Sequence, residues 1–177
     1  MRRFYGFFCL MLLAVIAFAG VAEAAQHEAA IRAAAEKAAA AIVDERTEAI
    51  ADSTYPGLAA VMGGRVALIN SLHESSAELK KRGLSVTAME IRSISPTVVA
   101  GRQLHSIVRI KRTMDAPNGI QLQDTFLIAV SEDAGASWSF VEGRQLSPEQ
   151  LNVLFPDFNP ELKFPATAKP VFIRDGE

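Results

Sequence analysis

Residues Asp124–Glu142 read DTFLIAVSEDAGASWSFVE, a strand, a turn and a second strand. Thr125 to Val130 is an unbroken β-favouring run, which suits a strand covered on both faces. In the turn, Ser131, Asp133, Gly135 and Ser137 alternate with single residues and Trp138 follows. An Asp here can accept hydrogen bonds from its own loop's N–H groups, Gly135 can take positive φ where the chain reverses, and the Trp ring can fold beneath. The hairpin thereby sets the register of an antiparallel sheet.

Outward from it, Asp115-Ala116-Pro117-Asn118-Gly119 is a turn signal, preceded by strand-like runs over Leu104–Thr113, Thr97–Val99 and Leu84–Ile94. The second half therefore reads as a meander of about four strands. On the C-terminal side, Ser147-Pro148-Glu149-Gln150 is a capping box with proline at the first helical position, opening a short helix through Leu154. The tail, with Pro160, Pro165 and Pro170 between Phe158, Leu162, Phe164, Val171 and Phe172, reads as an extended strap that docks apolar side chains and frays at its end.

The first half is helical. Alanine dominates Gln26–Ala51, which predicts one long helix, and Tyr55-Pro56-Gly57 breaks it. A second helix starts at Arg65, with Val66, Ile69, Leu72, Ser76 and Leu79 as its predicted stripe and Gly83 as the residue just past its end. Before all this, Arg2-Arg3, an apolar run from Phe4 to Val21 and Ala22-Glu23-Ala24 have the parts of a secretory signal peptide. The organisation is then a leader over residues 1–24, a single α+β domain over 25–165 and an extended tail over 166–177. A periplasmic or secreted location follows, with no stable membrane insertion after cleavage.

Taking Arg2, Arg3 and Glu23 from 18 basic and 20 acidic residues leaves 16 and 19, a mildly acidic domain with no surplus for phosphate backbones. Nucleic acid is not an expected partner. The one cysteine, Cys9, lies in the leader, so disulfides, thiolate ligands and a cysteine nucleophile are excluded from the rest. His27, His73 and His105 fall in separate elements without metal-ligand spacing. Neither a metal nor a cofactor is expected.

The spacing S-x-D-x-G-x-S-W resembles the Asp box of sialidases and other β-propellers. It occurs once here, and a propeller needs more strands than this chain can supply, so it is read as a structural turn. The long N-terminal helix, Tyr55-Pro56, Gly63-Gly64, the meander and Leu154-Phe155-Pro156 together resemble the nuclear-transport-factor-2-like (cystatin-like α+β) superfamily, over about residues 26–165. That resemblance implies two helices packed on a curved antiparallel sheet. It lacks the extra strand pair that many members carry between the second and third helices, which bears against a deep cone-shaped pocket.

Superfamily enzymes place an Asp or His base with Tyr donors in an apolar cone. The matching residue types here are Asp52, Tyr55 and His73, with Trp138 as a wall. A desolvated carboxylate would rise in pKa and could act as a base, which gives one expectation, an isomerase, dehydratase or hydrolase using Asp52 or His73. The other expectation is a non-catalytic module binding a small apolar ligand or a protein partner, with Tyr55, Trp138, Arg92 and Arg109 as candidate contacts and a homodimer through the sheet. Arg109, Lys111 and Arg112, with Arg92 and Arg102, read as a basic patch on a solvated strand edge.

Overall fold

The computed structural model describes residues 5–166 and 168–176, with side chains from residue 23 onward. Of the leader expected over residues 1–24, residues 1–4 and the side chains of 5–22 lie outside the description. Among the described residues no helix is long and apolar enough to cross a membrane; that statement does not extend to Phe4–Val21.

The fold is α+β. Helix α1 spans Tyr5–Val43 and stops short of the predicted Ala51. Asp44 and Glu45 put negative charge at the negative end of the helix dipole, and Glu45 turns left-handed at φ 52°. The Glu45 N–H then reaches the Ile42 carbonyl (3.2 Å) and the Arg46 N–H the Ala41 carbonyl (2.9 Å), a Schellman ending built without glycine. A separate helix α2 (Thr47–Ser53) follows. Pro56 opens α3 (Pro56–Val61) at its first turn. Helix α4 (Arg65–Lys81) has the predicted limits, and Gly83 at φ 67° closes it, with the Leu84 N–H on the Leu79 carbonyl at 2.9 Å.

The sheet comprises β1 (Ser85–Ile94), β2 (Val98–Ala100), β3 (Gln103–Ala116), β4 (Gly119–Ser131), β5 (Ser139–Glu142) and β6 (Val171–Arg174). It is antiparallel and four positions wide, in the order β1, β3, β4, β5, with β2 continuing the β1 edge along β3 and β6 continuing the β5 edge along β4. About four strands were expected; the six arise because both outer positions are broken. Pro96 interrupts one, and there Ser95 replaces the ladder, its N–H on the Ile107 carbonyl and its Oγ accepting from the Ile107 N–H, both at 2.9 Å. The second break shows that the tail is part strand, since Val171–Leu122 to Arg174–Gly119 pairing ties it to β4.

Alternation along β3 and β4 divides the core between the two faces. On one, Ile31, Ala35 and Ala38 of α1 pack on Val108, Ile110, Leu127, Ala129, Trp138 and Phe140. The alanines let α1 lie close to the sheet. On the other, Tyr55, helix α5 (Pro148–Leu154), Phe155 and Leu162 cover Ile107, Ile128 and Val130. The predicted capping box holds α5, with the Ser147 N–H on Gln150 Oε1 (2.9 Å) and the Gln150 N–H on Ser147 Oγ (3.2 Å). Tyr55, α5, Phe155 and Leu162 thus supply a third layer over this face of the sheet.

Candidate functional site: a groove beneath helix α4

Helix α4 faces the sheet across a groove that residues of both line. Its main contacts are with α2 and α3. Ion pairs pin its two ends: Arg65 reaches Glu48 at 2.9 Å and Asp52 at 2.7 Å, and Lys80 meets Glu45. The predicted stripe holds from Ile69 onward and fails only at its first position. Val66 is 73% exposed while Leu68 is buried, and Leu72, Ser76 and Leu79 are half-buried.

What remains between α4 and the sheet is a groove of about 920 Å³. Its apolar walls include Ile42, Ile50, Leu72, Leu79, Met89 and Phe140, and Ser71, Ser75 and Ser76 of α4 also line it. On the sheet side, Arg112, Gln123, Thr125 and Glu142 form a polar cluster in the lining. Arg112 donates to Gln123 Oε1, Thr125 donates to Glu142 Oε1 at 3.0 Å, and Arg112 Nη2 stands 3.8 Å from that same Glu142 oxygen. Arg112 Nε is buried with no hydrogen-bond partner among the described residues. A buried N–H left unpaired costs about 1–3 kcal/mol, which an acceptor reaching this donor would recover.

The sequence grouped Arg112 with Arg109 and Lys111 on an edge. Here β3 is interior, flanked by β1 and β4, and strand alternation sends Arg112 to the helix side with Val108, Ile110 and Met114 while Arg109 takes the other side. The signal was present: an arginine at the same parity as three apolar residues. Thr125 and Glu142 carried no comparable sign, since only the β4–β5 register brings them together.

The sequence-derived candidates sit elsewhere. Asp52 is exposed and bound to Arg65, and His73 is exposed on α4; neither lines the groove. Arg92 and Arg109 do meet, beside Asp124, Phe126 and Pro165, around a cleft of about 230 Å³ on the strap side, with Arg92 paired to Glu90 at 2.6 Å.

Tyr55 is buried and stacks on Phe155, ring centroids 5.3 Å apart. Its hydroxyl accepts from Gln103 Nε2 at 2.9 Å, and the same amide donates to Glu132 at 3.2 Å. Because a carboxylate only accepts, Gln103 must turn its oxygen to His105, whose Nε2 then carries the proton of their 2.9 Å bond. His105 Nδ1 is left as a bare, buried lone pair against Phe155. Burial holds this imidazole at about 4, well below 6.5.

The Asp-box loop is a closed hydrogen-bond unit. Asp133 accepts from the Ser137 hydroxyl (2.6 Å), the Ser137 N–H (2.9 Å) and the Ser131 hydroxyl (2.8 Å), which draw its carboxyl down to about 2. Gly135 stands at φ 92°, and a Cβ there would lie 2.4 Å from His27 of α1. Trp138 lies in the core beneath, edge-on to the His27 ring at 6.0 Å. The loop therefore fixes the β4–β5 register and seats α1; its residues do not line the groove.

Comparison with protein-family models, curated proteins and solved structures finds no match to this chain.

Proposed function

We propose that this chain is an exported, non-catalytic binding module whose groove beneath α4 receives a small apolar ligand. The observation that carries the reading is the separation of α4 from the sheet. A two-layer fold ordinarily closes such a space with side chains, whereas here a volume suited to a small molecule stays open between apolar walls with a few polar groups in them. The nuclear-transport-factor-2-like resemblance, with its missing strand pair, bears against a deep cone-shaped pocket, and the groove stands on the geometry alone. The general bases suggested by that resemblance, Asp52 and His73, stand outside the groove.

Export is part of the proposal. Glu23 and Ala24, at the expected cleavage point, are exposed, and the first fully buried side chain among those described is Ile31. N-terminal sequencing of the exported chain should begin at Ala25, and an intact Met1 would overturn it. For the groove, titration with a fluorescent apolar probe should give saturable binding that Leu72→Asp abolishes. Binding unchanged in that variant would place the probe elsewhere and refute the assignment.

A further inference from the structure

The polar cluster in the groove is chemically specific in what it can receive. Arg112 presents a buried Nε–H without a partner, and its ion pair with Glu142, at 3.8 Å, is too long to be a hydrogen bond. Glu142 accepts through one oxygen, Oε1, from Thr125. Arg112 and Glu142 thus both line the groove without satisfying each other. Their charges cancel as a pair. A carboxylate in that space would meet Glu142 as well as Arg112, and so would an ammonium; either pays its desolvation and a like-charge repulsion that offsets its attraction to the opposite charge. A neutral group that accepts from Arg112 and donates to Glu142 pays neither. The α4 wall adds the hydroxyls of Ser71, Ser75 and Ser76; of its charged side chains in the lining, Lys80 is paired with Glu45, and Glu74 and Glu78 are exposed, where water screens them, so the Arg112–Glu142 pair sets the charge that a head group meets on the sheet side.

We infer that the groove takes a single-tailed amphiphile with an uncharged head, a hydroxyl or primary amide, seated between Arg112 and Glu142 with its tail along Ile42, Ile50, Leu72 and Leu79. This rests on the groove reading and adds the class of head group. The test is calorimetric titration of the purified protein at neutral pH with decan-1-ol, decanoate and decylammonium, each below its aggregation limit. Decan-1-ol should bind at least about tenfold more tightly than either ion. Glu142→Gln should raise the affinity for decanoate relative to decylammonium, and Arg112→Gln should do the reverse. The Arg112 Nε–H resonance of the unsubstituted protein should shift with decan-1-ol, a readout that does not depend on either variant folding. If an ion matches the alcohol, or the resonance stays still while decan-1-ol binds, the head assignment is overturned and the groove reading stands. If none of the three ligands binds and the apolar probe also fails, both are overturned.

Discussion

His105→Gln should remove a pH dependence of folding stability that the tertiary structure creates. In the native state the ring is 1% exposed under Phe155 and Phe158. A second proton would go on Nδ1, which has no acceptor nearby. The unfolded chain takes that proton near 6.5, the native protein only near 4. The folded-state value is depressed, so the neutral ring's contribution is fully present above pH 6.5. It is lost as pH falls through that interval, because the unfolded state binds the proton first. Below about 4 both states are protonated and the loss stops growing. At about 1.4 kcal/mol per pH unit, the interval amounts to about 3 kcal/mol, a large share of an ordinary domain's 5–15 kcal/mol. Denaturant unfolding followed at pH 7, 5.5 and 4 should show the wild type losing about 3 kcal/mol more than His105→Gln across the range. The variant keeps an amide able to meet Gln103 and cannot titrate, so its absolute stability matters less than its slope. Parallel slopes in the two proteins would refute the assignment of a buried, unprotonated ring.

Three further outcomes follow from the same packing. Phe155→Ala should cost about 3–5 kcal/mol and, by opening His105 to water, raise the ring's pKa toward its ordinary value, which an NMR titration of its ring protons would register. Ser131→Ala removes the acceptor of the Gly135 N–H at 2.8 Å and should destabilise the protein by about 1–3 kcal/mol in urea unfolding. Asp133→Asn should flatten the acid limb between the carboxyl's ordinary 3.8 and about 2, where the native hydrogen bonds favour the ionised form; an unchanged acid midpoint would count against the loop as a stabilising unit.

The sequence by itself determined the local chemistry. Ser131 to Trp138 specified the turn, Gly83 and the basic run Lys80-Lys81-Arg82 specified the end of α4, and Ser147 to Gln150 specified the start of α5, because each satisfies backbone groups within a few residues of itself. The change from helical to alternating pattern beyond Gly83 was equally local, and with it the α+β class. The early end of α1 was half-legible: Asp44 and Glu45 oppose the dipole, but alanine propensity carried the pattern on to Ala51.

Tertiary structure decided the groove. Residues such as Leu72 and Leu79 announce that one side of a helix avoids water, but not whether a sheet or an open space lies opposite. That depended on α4 leaning on α2 and α3. The polar cluster required β3 and β4 to align Arg112 with Gln123, and the Asp-box hairpin to bring Glu142 alongside Leu127, next to Thr125. His105 likewise became buried only when Phe155 returned from 50 residues along the chain. Chain pattern records each residue's own preference, whereas a site is a distance between residues that no local preference contains. The hairpin whose turn was plainest in the sequence is thus the device that sets one of those distances.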